Sequence, residues 1–279
     1  YNFEQVKKKS LIFEFYIKSS LHVSLCVLAL ILISFLRLNI DFNFIILFFV
    51  FNATMIVYNF IKYASTLPYY FLVKNISIKK IQYLSFFCGL CLLLSLFYVK
   101  IQTILLGIFI SIFCVIYIIP FNRSKRNIRN YGRIKIFIVA FCWSAVTVLL
   151  PLSVEVEINY LNVFILFLQR FIFVIVYTLP FEIRDLKFDS INLKTIPQLF
   201  GLKKTKQLAY FLLLLFFLTN FITQPLSKIF LISDLIIALF TAYVIYITKK
   251  NQTKYFASFW VESIPILWLS IIFFLEYFI

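Results

Sequence analysis

Histidine occurs once in this 279-residue chain, methionine once, glycine four times and proline seven times. A single histidine, His22, cannot supply a multi-histidine metal site, and with its neighbours it assembles no catalytic triad. It lies near the start of the first apolar run, an interfacial rather than a catalytic place. Four scattered glycines leave no glycine-rich loop to cradle phosphates. They also argue against the glycine-broken helices on which many transporters rely. Charge is scarce: 14% of residues are charged, and only 11 are acidic against 27 basic, for a net +16. A soluble domain carries about a quarter charged residues. This composition excludes an ordinary soluble domain, and the basic excess does not imply nucleic-acid binding.

Apolar runs fill the space that charge leaves. Hydrophobic residues make up 63% of the chain, phenylalanine alone occurs 37 times, and mean hydropathy is +0.99. Approximate spans fall at 19–36, 42–61, 82–99, 102–121, 136–152, 159–181, 207–223, 229–247 and 257–278. About 20 apolar residues cross a bilayer core as a helix, and these runs lack the alternation of barrel strands. The expected fold is all-α and integral to the membrane, with about nine spans. The first run is too long and lacks a small-residue cleavage site, so it reads as a retained span. The whole chain, 1–279, reads as one polytopic domain, with two four-helix halves (about 19–121 and 136–247) and a last helix at 257–278.

Basic residues give the orientation. With the N-terminus inside, 23 of the 27 fall in the N-terminal segment and the inward gaps, three (Arg37, Lys100, Lys228) lie on the other side, and Arg170 is within a span. That asymmetry predicts a cytoplasmic N-terminus and an outward C-terminus in an inner or plasma membrane. The inward gaps are long, above all 62–81 and 182–206.

All five cysteines (Cys26, Cys88, Cys91, Cys114, Cys142) lie within apolar runs, so a disulfide framework is not expected. Cys88-Gly89-Leu90-Cys91 matches C-x-x-C. Mid-span, it reads as thiols packed as small apolar groups.

The strongest local signal is Glu182-Ile183-Arg184-Asp185-Leu186-Lys187-Phe188-Asp189. Carboxylates three and four apart share one face of a helix. With cations beside them they suit a Mg²⁺ ion that itself holds phosphate, since Mg²⁺ takes a few carboxylates plus substrate oxygens. A solvated, salt-bridged helix end fits the same spacing. Arg170 and Gln169 within the sixth span, Asp234 within the eighth and Glu262 within the ninth are further candidates. Arg170 with Asp234 or Glu262 is a possible ion pair. The run Arg123–Lys135 reads either as a collector of phosphates or anionic headgroups or simply as the topology signal.

The stretch Glu182–Gly201 resembles the second aspartate motif of the UbiA-type membrane prenyltransferases. Asp185 and Asp189 stand at the motif's aspartates, Glu182 where Asp is more usual, and Lys194, Thr195, Pro197 and Gly201 continue the match. Tyr117-Ile118-Ile119-Pro120, Lys125-Arg126, Lys135 and Pro151 resemble the family more loosely. The resemblance implies nine spans and catalytic loops at the cytoplasmic face. It also implies transfer of an isoprenyl group from a polyprenyl diphosphate to an aromatic or lipid acceptor, with Mg²⁺ as cofactor. Carried residue by residue, it implies Asp185, Asp189 and Asn59 as catalytic. The metal would be held by Asp185 and Asp189 with Glu182, and the diphosphate would be met by Lys62, Lys125, Arg126, Lys135, Arg184 and Lys194. The first motif departs from the family pattern. Where it has N-D-x-x-D, this chain has Asn59-Phe60-Ile61-Lys62-Tyr63, and no carboxylate lies between Asp41 and Glu155. A non-catalytic isoprenoid-lipid binding protein is therefore the alternative, with a transporter as the third class. The expected surroundings are the lipid bilayer and an isoprenoid lipid.

Overall fold

The computed structural model describes residues 11–63, 76–118, 132–153, 159–190, 193–223 and 225–278. Among these the chain is helical and has no strand. Residues 11–18 are helical, followed by α1 (Leu21–Leu38), α2 (Phe44–Tyr63), α3 (Ile76–Ser95) and α4 (Ile101–Ile118). Next come α5 (Gly132–Ser144), α6 (Tyr160–Asp185), α7 (Ile196–Leu218), α8 (Lys228–Ile247) and α9 (Ile264–Phe278). α5 runs on through a π-helical turn, Ala145–Leu149, into Leu150–Leu152. A second π-helical turn, Phe256–Val261, precedes α9.

Among the described residues, seven stretches are long and apolar enough to cross a membrane: α1, α2, 78–95 of α3, 134–152, α6, α8 and 256–278. α4 is apolar but shorter, and α7 carries Lys203, Lys204 and Lys206 in its first half. Large apolar side chains such as Phe86, Phe97, Tyr98 and Leu239 lie on the surface, more than 60% exposed. Water does not tolerate apolar surface of this extent, whereas lipid does.

Local chemistry sets the helix starts. The Asn43 side chain accepts from the backbone N–H groups of Ile45 and Ile46, the Asn159 side chain from Asn162, and Ser227 from Phe230. Each satisfies donors that a first turn leaves orphaned. The sixth apolar run was expected to give way to a long polar loop over 182–206. Instead α6 continues to Asp185, and α7 already begins at Ile196. Charged side chains extend a helix readily when its end reaches the polar face, and Pro197 in the first turn of α7 is well placed to start one. Gly201, at φ 73°, kinks α7 five residues in, a backbone conformation that favours glycine.

The chain divides into two compact units, 1–28 with 43–99 and 29–42 with 100–279. In the first, α2 packs on α3. In the second, α6 packs between α5 and α7, α7 on α8, and α8 on α9. Its centre is aromatic: the Phe173 ring lies 5.0 Å from Trp268 and 5.7 Å from Phe216, and Trp268 is fully buried.

Candidate functional site

In the second unit the carboxylate motif sits at the C-terminal end of α6. Glu182 is 4% exposed and its Oε1 lies 2.7 Å from Lys135 Nζ, on the first turn of α5. Its Oε2 is buried with no hydrogen-bond partner. Asp185 sits three residues on, partly exposed, and its Oδ1 accepts from Arg184 Nε at 2.8 Å. The guanidinium of Arg184 also covers the Phe181 ring at 5.3 Å. The backbone N–H groups of Phe188 and Asp189 both donate to the Asp185 carbonyl at 2.8 Å, which tucks Asp189 back over the helix end. Asp189 is within electrostatic reach of both Lys135 and Glu182, and Asp185 of Glu182. The structure therefore brings together Glu182, Asp185, Asp189, Lys135 and Arg184.

The connection from α6 to α7 is clamped by the Gln198 side chain. The Gln198 side chain accepts from the Thr195 backbone N–H at 3.1 Å and donates to the Ser190 carbonyl at 3.0 Å. Lys194 is exposed and adopts φ 55° beside this clamp. Gly132, which the sequence reading passed over, allows the connection to sit against α5. A Cβ there would lie 2.6 Å from Thr195 Cγ2 and 2.7 Å from the Leu193 carbonyl. Its adjacency to the basic run was the signal available. Lys125 and Arg126 lie outside the described residues.

In the first unit, Asn59 is fully buried. Its Oδ1 accepts from Ser20 Oγ and its Nδ2 donates to Ser85 Oγ, both at 2.8 Å. The amide joins the segment before α1 to α3. Lys62 Nζ donates to the Ile17 carbonyl at 3.2 Å and Tyr63 Oη to the Lys18 carbonyl at 3.3 Å. These carbonyls end the 11–18 helix, where i+4 donors run out, and Ile17 also accepts a long 3.4 Å bond from the Ser20 N–H. Phe60 is 43% exposed. His22 is buried and hydrogen-bonded through Nδ1 to Tyr16 Oη at 2.8 Å.

The ion pair expected between Arg170 and Asp234 or Glu262 is made differently. Asp234 pairs with Arg37, while Arg170 donates to the Leu30 carbonyl at 3.1 Å and to Ser34 Oγ at 3.3 Å. The five cysteines are free thiols.

The donor set at the end of α6 consists of hard carboxylate oxygens, one of them, Glu182 Oε2, buried and unpartnered. That chemistry fits Mg²⁺, which typically takes one or two carboxylates and completes its shell with phosphate and water. No group of three metal-ligating side chains closes around a point among the described residues. The fit is to a partial shell, not to a preformed cage.

A profile of the UbiA prenyltransferase family matches residues 71–272. The chain is similar to a solved structure of a digeranylgeranylglyceryl phosphate synthase in membranes, with a TM-score of 0.56 over 96% of each chain. Sequence identity is 18%, so the likeness establishes the fold. No curated protein matches the chain in sequence.

Proposed function

Because this chain belongs to the UbiA prenyltransferase family, we propose that it is a membrane prenyltransferase acting on a polyprenyl diphosphate at the end of the bundle where α6 terminates. The observation that carries this reading is the buried Lys135–Glu182 pair, with Asp185 and Asp189 grouped around it. Asp185 and Asp189 would hold Mg²⁺, with Glu182 Oε2 open to it. The chemistry bound Mg²⁺ supplies is neutralisation of the departing diphosphate.

In the reaction the allylic C–O bond breaks and its electron pair leaves with the diphosphate. The acceptor then forms a bond to that carbon and loses a proton. Lys135 holds the Glu182 carboxylate in place, and Arg184 does the same for Asp185. Lys194, on the exposed connection, is placed to meet a phosphate oxygen as a point charge, and we assign Lys125 and Arg126 the same role. The apolar walls of the helices keep water from the allylic cation. We place this end at the cytoplasmic face of an inner or plasma membrane, because the lysine and arginine asymmetry favours it. In the other unit the Asn59 amide bonds Ser20 and Ser85, and Lys62 Nζ donates to the Ile17 carbonyl.

A second reading has its own support. The first-motif positions are occupied by packing and capping: both ends of the Asn59 amide are engaged, by Ser20 and Ser85, and Lys62 and Tyr63 tie down the 11–18 helix. A chain that binds an isoprenoid lipid without ionising it would look the same there. Mg²⁺-dependent pyrophosphate release from a panel of prenyl diphosphates separates the two. The proposal expects release that EDTA abolishes and that Asp185→Asn/Asp189→Asn lowers on the order of 100-fold. No release from any donor by folded protein that binds the donor establishes the second reading.

A further inference from the structure

A second polar centre lies within the 29–42 and 100–279 unit, toward the opposite end of α6. Gln169 and Arg170 lie 13 and 12 residues before Glu182 on this helix, about 18–20 Å along it at 1.5 Å per residue. Here Asp234 is fully buried and saturated. Its Oδ1 accepts from Arg37 and from Trp268 Nε1 at 3.1 Å, and its Oδ2 accepts from Gln169 Nε2 and Asn220 Nδ2, both at 2.8 Å. One carboxylate neutralises one guanidinium, but two are present. Arg170 is fully buried as well, and it is met by the Leu30 carbonyl, Ser34 Oγ and, at 5.2 Å, the face of the Trp268 ring. The cluster therefore carries one uncompensated positive charge inside an apolar bundle, where such a charge is costly without a counter-ion.

Three buried polar atoms remain open: Arg37 Nε, Arg170 Nε and Gln169 Oε1. The Arg37 side chain is 7% exposed and Gln169 is 2% exposed. These two, though not Arg170, line a cavity of about 520 Å³, together with Asn162, Asn220, Thr223 and Phe230, so an anion there would meet the cluster's net charge through Arg37. The orientation of the Gln169 amide is fixed, because the atom facing Asp234 must donate to a carboxylate. Its oxygen is therefore a vacant acceptor, on a residue that lines the same cavity as Arg37 with its own vacant donor. We infer that this cavity binds an oxyanion that also carries a hydroxyl, its charge on Arg37 and its hydroxyl donating to Gln169 Oε1. Two sources share that chemistry: the headgroup of a hydroxylated anionic phospholipid and free hydrogen phosphate.

Native mass spectrometry on the full chain, delipidated and then given phosphatidylglycerol or phosphatidylcholine, tests this, with inorganic phosphate titrated as a separate arm. Three variants accompany the wild type. Arg37→Gln removes the charge, Thr223→Trp fills the cavity at its partly exposed rim, and Lys203→Gln/Lys204→Gln alters the lysine cluster of α7. The inference expects one tightly retained phosphatidylglycerol, or one saturable phosphate, and no matching phosphatidylcholine. Retention should fall by about tenfold or more in Thr223→Trp and Arg37→Gln, the equivalent of one lost charge-assisted hydrogen bond. It should persist in the α7 variant. Retention of the lipid alone identifies a headgroup, and retention of phosphate alone identifies the free ion. If neither is retained, if phosphatidylcholine binds equally, or if Thr223→Trp binds as the wild type does, the inference is overturned. If Arg37→Gln does not fold, Thr223→Trp decides.

Discussion

Lys135 and Glu182 are worth more to each other than either is to the bundle. Glu182 is 5% and Lys135 18% exposed at the side chain. Removing one partner strands the other's charge. Glu182→Gln should therefore lower stability by about 3 kcal/mol, the low end for a broken buried pair because Lys135 keeps some access to water. Denaturation in detergent micelles checks this, and Lys135→Met/Glu182→Leu should sit closer to the wild type than either single change. Asn59 behaves differently. Its amide makes two neutral hydrogen bonds, so Asn59→Leu leaves the Ser20 and Ser85 hydroxyls without this partner. The cost should be about 1–3 kcal/mol. Turnover per folded molecule should fall far less than in Asp185→Asn. A loss of turnover matching that of Asp185→Asn, without a loss of stability, would instead make Asn59 a ligand.

At the scale of elements, the junction of α5, α6 and α7 decides whether the carboxylates converge. Gly132→Ala places a methyl within 3 Å of the 193–195 backbone. Overpacking of this kind costs about 1–3 kcal/mol, and here it also displaces the connection that carries Lys194. A drop in stability together with weaker prenyl diphosphate binding is the expected outcome, measured by isothermal titration. Spacing marked this motif, because carboxylates three and four apart are neighbours on any helix, but a salt-bridged helix end fits the same spacing, and only the family resemblance pointed to a metal. Their partners were harder to read. Lys135 is 47 residues from Glu182, and Arg37 is 197 from Asp234. A sequence lists the charges but not which cross-bundle pair forms; Arg170, expected at Asp234, found neutral oxygens. The apolar runs located α1, α2, α4, α6 and α8 to within a few residues. They misplaced the start of α7 by eleven residues, because lysines on a helix turn resemble a loop when only hydropathy is read.

At the scale of the molecule, the basic residues gather on one side of the chain's expected path through the membrane. Single cysteines at positions 187 and 228, in a background with the five native cysteines replaced by alanine, should label from opposite faces. Position 187 should react only from the cytoplasmic side. Labelling of both from one side would refute the orientation. The proposed chemistry belongs to the same face. A divalent ion should bind at the end of α6 only together with a diphosphate, since the protein supplies a partial shell. Mn²⁺ electron paramagnetic resonance with an unreactive prenyl thiodiphosphate tests this most directly. Little bound Mn²⁺ is expected without the analogue, one tightly bound ion showing phosphorus coupling with it, and loss of that signal in Asp185→Asn/Asp189→Asn. An unchanged signal in the double variant, or no bound ion when the analogue is bound, would contradict it.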